Sequence, residues 1–289
     1  MNNTNLKNIE KLNYLAWKSR YLCTKTFHES GKGGHFGGSF SSAEILTTLY
    51  NGILRIDPKN PKWPNRDHLI VSKGHMAGIL ASVLAIKGFF LIKKLSEYDQ
   101  LGSAFGMHTT RKIIGCEFAT GSLGHGLGVG IGVAIAKKMD HFNSRVFVLM
   151  GDGELDEGSV WEAFMSANKF HLDNLIAIID RNMFNMEGNT EQTMPLEPLH
   201  SKLSSFGWEV KTIDGHDVQE LYNTLSKIPF TKDKPSCIIA KTIKGKGLAL
   251  KEGVYKSHYI KMNDRDYKDC IANIKEKMLN STAKVGENE

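Results

Sequence analysis

Asp152 stands between Gly151 and Gly153, just past the apolar run 145–150, and Asn182 stands just past a second run, Leu175–Ile179. A carboxylate and an amide oxygen are hard ligands of the kind Mg²⁺ takes. That ion commonly uses one or two protein ligands and completes its octahedron with phosphate oxygens and water. The glycines beside Asp152 let the backbone approach a phosphate closely. Lys73 and Lys244 follow two further apolar runs and are placed to neutralise a diphosphate, and His75 follows Lys73 by two residues. Residues 232–256 hold seven lysines against two acids, a local excess of +5. Taken alone, Gly-Asp-Gly reads as a helix N-cap and the lysine run as a solvated face. Asn at the end of the next strand shifts the reading toward a cation and phosphate site.

The elements that must position these residues alternate. Apolar runs at 68–71, 145–150, 175–179, 208–213 and 236–240 read as buried strands, with helices expected from about Met76, over 159–170 and over 217–228. Such alternation predicts an α/β fold with a parallel sheet flanked by helices. In open α/β sheets ligands sit beyond the carboxyl ends of the strands, and every residue named above lies there. Upstream, the first 27 residues read as an amphipathic helix with Leu6, Ile9, Leu12 and Ala16 on one face, followed by a glycine-rich loop at 30–38. Ser41 with Glu44 has the spacing of a capping box, opening a helix that carries Ile45, Leu46, Leu49 and Tyr50. Pro58, Pro61 and Pro64 mark a connector. The glycines at 124, 126, 128, 130 and 132 form no GxGxxG, and no GxxxxGK[ST] occurs, so close helix packing is their expected role. One domain is expected over 1–279, with a polar tail at 280–289.

The chain has 289 residues and a formal charge of 37 − 31 = +6, with 41% hydrophobic and 24% charged residues. This is globular composition, which argues against a disordered or fibrous chain. The mild basic balance suits an acidic small molecule as well as nucleic acid, and no DNA-binding motif accompanies the lysine run. The apolar stretch 76–90 contains Lys87 and falls short of the roughly 20 residues of a spanning helix, so no membrane role is expected. The N-terminus lacks the charged start and apolar core of a signal peptide. Cys23, Cys116, Cys237 and Cys270 are scattered without CxxC, which disfavours a disulfide framework or structural zinc. A soluble, cytoplasmic protein is the expectation.

Longer segments carry a resemblance. Gly151-Asp-Gly-Glu-Leu-Asp-Glu-Gly158, a helix, and then Asn174-Leu-Ile-Ala-Ile-Ile-Asp-Arg-Asn182 resemble the thiamine-diphosphate motif. Gly34-His-Phe-Gly-Gly-Ser-Phe-Ser-Ser-Ala-Glu-Ile-Leu46, Asp67-His-Leu-Ile-Val-Ser-Lys-Gly-His75, Gly115 to Gly126 with its Thr-Gly-Ser-Leu-Gly core, and Lys241-Thr-Ile-Lys-Gly-Lys-Gly247 followed by His258 resemble, in order, segments of the transketolase family. The resemblance covers about residues 10–275. It implies Mg²⁺ (or Ca²⁺ or Mn²⁺) held by Asp152, Asn182 and the backbone carbonyl of Phe184. It implies thiamine diphosphate held by Lys73, Gly153 and Lys244 at the diphosphate side and by Gly121, Ser122 and Leu123 at the rings, with His75 also contacting the cofactor. His35 and His258 match histidines that move protons at the reacting centre, and His108 matches one that binds the donor sugar's terminal hydroxyl. Glu157 and Glu162 match acids that couple paired sites across an interface. Two departures, Gly106-Met-His-Thr-Thr110 and Tyr259 after His258, lie where substrate would sit.

Transketolases are about twice this length, and the other half supplies a pyrimidine-binding domain with the glutamate that activates the cofactor. The resemblance therefore implies the N-terminal subunit of a split transketolase. Such a subunit transfers a two-carbon ketol unit from a ketose to an aldose, inactive without a C-terminal partner chain in an α2β2 assembly. Rival readings are another thiamine-diphosphate ketol or acyloin transferase of a specialised sugar pathway, and a non-catalytic cofactor-binding subunit. Deoxyxylulose-phosphate synthase shares the GGH loop and GDG motif but is disfavoured by SKGH and KGKG. Pyruvate-dehydrogenase-type subunits lack this set of histidine loops.

Overall fold

The strands form because runs of β-branched and aliphatic residues have no polar face to offer water, so they are stable only when covered on both sides. In the computed structural model, which describes residues 3–286, they are β1 His68–Val71, β2 Val146–Gly151, β3 Leu175–Arg181, β4 Glu209–Asp214 and β5 Ser236–Lys241. They pair in the order β1-β2-β3-β5-β4, and every pair is parallel. The central strands β2 and β3 are buried along nearly their whole length, whereas edge strand β4 alternates buried and open positions.

Helices cover both faces. They are α1 Asn3–Glu29, α2 Phe36–Ser41, α3 Ala43–Thr48, α4 Ala77–Lys87, α5 Gly126–Met139, α6 Gly158–Lys169, α7 Thr190–Thr193, α8 Leu199–Ser205, α9 Val218–Leu225 and α10 Asp264–Gly286. Alternate residues of one strand feed the two cores. Phe147 and Leu149 of β2 join the layer of α1–α4, α9 and α10, and Val146, Val148 and Met150 join the layer of α5, α6 and α8. Each such fully buried aliphatic or aromatic side chain contributes about 1.5–3 kcal/mol over its exposed state.

Several expected boundaries move. The strands continue past the apolar runs, through Gly151, through Asp180 and Arg181, and through Lys241, because backbone pairing continues where side-chain hydrophobicity stops. Ser41 and Glu44 form no capping box. Ser41 ends α2, its hydroxyl donates to Asp180, and Glu44 is drawn to Arg20. Within the first helix Leu12 and Ala16 are buried, but Leu6 is exposed. The packing role of the glycine series holds for three of its members, and a Cβ on Gly124 would meet Glu157 and Ser159. A Cβ on Gly126 would meet Ser72 and one on Gly130 would meet Val148, while Gly128 and Gly132 face open space. The expected boundary at 279 falls inside α10, which runs to Gly286, and residues 287–289 of the expected tail lie outside the described residues.

Candidate active site

Strand register sets the site. Gly151 pairs with Asp180, which pairs with Ala240, and Arg181 pairs with Lys241, so the carboxyl ends of β2, β3 and β5 finish level. The segments leaving β1, β2, β3 and β5 meet the loops before α2, before α5 and after Ser257 around one cleft of about 430 Å³. His35, Lys73, His75, His108, Gly121, Leu123, Asp152, Gly153, Asn182, Phe184, Lys244 and His258 all line it. Of the expected site residues, Ser122 does not line the cleft, and Glu157 and Glu162 stand exposed at the start of α6.

The four histidines form one cluster. The His35 ring centroid lies 5.3 Å from that of His75, 5.7 Å from His108 and 5.3 Å from His258, and His75 lies 5.1 Å from His258. Burial pulls His35 down from 6.5 to about 4, aided by His108. Burial, then the charge of Lys244, pulls His258 down to about 3. His75 falls well below its ordinary value through burial and then Lys73. At neutral pH these three rings are uncharged, the form that accepts a proton. Among the described residues, buried His35 Nδ1 has no hydrogen-bond partner.

The oxygen ligands line the same cleft as the histidines. Asp152 Oδ1 accepts from Gly153 N–H at 2.9 Å, and Oδ2 accepts from Met183 N–H at 2.6 Å and from Arg181 at 3.0 Å. Burial, then the charge of Asp180, pushes Asp152 up to about 6 against the pull of Arg181. The Lys244 ammonium donates to the carbonyls of Phe184 and Asn185 at 3.1 and 2.8 Å. Burial lowers Lys244 to about 8, although the charge of Asp152 opposes the shift. The two carbonyls are thus already turned toward a positive charge. Among the described residues no three His, Cys, Asp or Glu side chains converge as a metal site. Asp152, Asn182 and Phe184 line the same cleft, and a set of one carboxylate with neutral oxygens suits Mg²⁺, which keeps several non-protein ligands. The residues fit such a cation and a diphosphate beside it.

Lys73 occupies a different place from the expected one. It lines the cleft, yet its ammonium is engaged by the Asp180 carboxylate and by Gly38 O at 3.0 Å. Asp180 also accepts from Ser41, Ser42, Asn182 and Thr242, so one buried carboxylate ties the loop after β1, the α2–α3 junction and the ends of β3 and β5 together. Burial alone would raise its pKa, but Lys73 and these donors hold it below the ordinary carboxylate value. Glu154 plays a similar part, accepting from Ser72, Gly124 N–H and Gly151 N–H, and burial raises its pKa. Sequence reasoning assigned no role to Asp180, Arg181 or Glu154. The available signal was an Asp-Arg pair closing an otherwise apolar strand, because buried charges require partners.

Comparison with known proteins agrees with this geometry. The family model described as "Transketolase, thiamine diphosphate binding domain" matches residues 13–279. The chain is 41% identical over 252 residues to the 6-deoxy-6-sulfo-D-fructose transketolase subunit SqwG of Clostridium sp. (strain MSTE9), covering 86% of this chain and 92% of that one. It is 38% identical over 270 residues to an apulose-4-phosphate transketolase subunit of Phocaeicola vulgatus, covering 93% and 96%. Among solved structures, the transketolase of Campylobacter jejuni superposes with a TM-score of 0.85 at 30% identity, covering 93% of this chain but 45% of that one.

Proposed function

We propose, since the chain belongs to the transketolase family, that it is the N-terminal subunit of a two-chain transketolase, carrying a two-carbon ketol unit from a ketose donor to an aldose acceptor. The observation that carries this reading is a single cleft lined by Asp152, Asn182, Phe184 and Lys244 together with four histidines. A subunit that held a diphosphate only to stabilise a complex would not need the neutral histidine cluster. The split arrangement is supported by length, since two relatives named as subunits are covered almost entirely and a whole transketolase by less than half. The partner chain would bring the pyrimidine-binding domain, in an α2β2 assembly, in the cytoplasm.

Asp152, Asn182 and the Phe184 carbonyl would hold Mg²⁺, and Lys244 and Gly153 would face the diphosphate. Thiamine diphosphate, when bound, would supply the carbon nucleophile for the transfer. Leu123 and Gly121 line the wall where its rings would rest. His35 and His258, uncharged at neutral pH, accept the proton of the donor hydroxyl as the carbon–carbon bond breaks, and return it to the acceptor. His108, exposed at the mouth, is placed to orient the donor's terminal hydroxyl. Tyr259 stands beside His35, its hydroxyl donating to Lys32 O at 2.7 Å and its ring edge-on to His35 at 5.2 Å. Together with the sulfo-sugar and apulose names of the relatives, this favours a donor from a specialised sugar pathway.

The test is turnover with thiamine diphosphate, Mg²⁺ and a panel of ketoses, including sulfonated and branched ones, with and without the C-terminal chain. Activity confined to the mixture is expected. Full turnover by this chain alone refutes the split reading, and unchanged activity of the mixture after His35→Ala or His258→Ala refutes the catalytic one.

A further inference from the structure

Outside the cleft, the fold buries a second set of ionisable groups that ketol transfer does not use. Arg20 on α1 is fully buried and grips both oxygens of Glu44 on α3 at 2.6 Å, and it also donates to Phe40 O at 2.6 Å. Glu44 Oε2 lies 3.0 Å from His216 Nδ1. The far nitrogen of that ring, Nε2, lies 2.9 Å from the backbone N–H of Ile243. A backbone N–H can only donate, so Nε2 accepts and Nδ1 carries the proton that reaches Glu44. The ring is therefore fixed in one tautomer and one orientation by the buried Arg20–Glu44 pair.

Both ends of this chain of bonds land on segments that build the cleft. Phe40 lies in α2, where the Gly37 carbonyl accepts from Gly245 N–H at 2.9 Å, and Ile243 immediately precedes Lys244. Gly215, just before His216, donates to Lys241 O at 2.7 Å and lies so close to the exit of β5 that a Cβ there would come within 2.4 Å of Thr242. That approach is what brings the imidazole over Ile243. Burying an ion pair is costly and is a weak source of stability, and one well-attested use of such a pair is to fix register.

We propose that His216, backed by Glu44 and Arg20, is a positioning residue for Lys244. It holds the turn after β5 so that the Lys244 ammonium reaches the Phe184 and Asn185 carbonyls and the diphosphate side of the cleft. The inference deepens the thiamine-diphosphate reading and rests on it.

Two measurements on the full-length chain test it, namely amide hydrogen exchange over 242–247 and calorimetric titration with inorganic pyrophosphate and Mg²⁺. His216→Phe keeps an aromatic ring but removes the acceptor, and His216→Gln returns an oxygen to it. In His216→Phe, exchange should accelerate in 242–247 and not in β2 or β3, with the pyrophosphate Kd rising about tenfold, the effect of one lost hydrogen-bond acceptor at about 1.4 kcal/mol. His216→Gln should recover most of both. Unchanged exchange in the turn, an unchanged Kd, exchange raised uniformly along the chain, or a Gln variant no better than Phe each overturns the proposal. Failure of the wild-type chain to bind pyrophosphate is a separate outcome. It overturns the diphosphate reading itself and the ligand assigned here with it.

Discussion

The cleft histidines owe their neutrality to where the fold puts them, and that neutrality has a sign in stability. His35 and His258 titrate near 4 and 3 in the folded chain against 6.5 when free. Between those values the unfolded chain takes up protons at these positions that the folded chain refuses. The contribution of these two histidines to folding stability should therefore be level above pH 6.5 and fall as pH drops toward 4. Urea midpoints at pH 7.5 and pH 5 check this. The His35→Asn/His258→Asn double variant should lose less stability across that interval than wild type, and an equal loss would refute the assignment. The fold disfavours the charge of Lys244 as well, but at about 8 it keeps that charge at neutral pH, where it meets two carbonyls at the expected diphosphate site. Lys244→Met should leave the melting temperature at pH 7 unchanged or higher. The same variant should weaken Mg²⁺–pyrophosphate binding by roughly 10- to 100-fold, the range for a charge-assisted hydrogen bond of about 1.5–3 kcal/mol. A calorimetric Kd equal to wild type would remove Lys244 from the site.

At the scale of elements, contacts between loops matter more than helix propensity. Gly74 turns the chain out of β1 with no room for a side chain, since a Cβ would lie 2.1 Å from Thr120 O. That neighbour is backbone and cannot swing aside, and Thr120 is itself bound to Thr109 and to Val71 O. Gly74→Ala should therefore cost about 1–3 kcal/mol, as overpacking does, and should displace His75. Asp217→Ala is the control. Asp217 caps α9 through Gln219 and Glu220 N–H, so its loss should cost about 1 kcal/mol in urea unfolding and leave pyrophosphate binding intact. What was legible in the sequence follows the same division. The strands could be read because 146–150 and 175–179 are apolar without interruption, and the strand-end rule then located Asp152, Asn182, Lys73 and Lys244. Their surroundings could not be read. Glu44 looked like half of a capping box because its true partner, Arg20, is 24 residues away. Asp180 binds groups 107 and 139 residues distant, Lys73 and Ser41, and no local pattern encodes such pairings.

For the whole molecule, neither charge nor the cleft accounts for all of the exposed surface. Most of the lysine-rich stretch is a solvated face. Lys246 and Lys251 pair with Glu252 and Asp266, and of the seven lysines only Lys244 lines the cleft. The side carrying the starts of α5 and α6 is different. There Gly128 and Gly132 face open space, Glu157 and Glu162 stand exposed, and Met165 on α6 is 59% exposed. Helices α5 and α6 pack on each other, and Gly121 and Leu123, just before α5, line the cleft. A chain that completes its site with a partner should present such a face beside the cleft, and a stable interface puts few charges at its centre. Met165→Asp places a charge at that centre while touching nothing in the folded chain's core. Its own stability should stay within about 0.5 kcal/mol of wild type, as for most surface changes. Mg²⁺–pyrophosphate binding should likewise persist, and the C-terminal chain needed for half-maximal activity should rise at least about tenfold, equivalent to 1.4 kcal/mol. An unchanged titration with the C-terminal chain would place the partner on another face, with the cleft assignments standing.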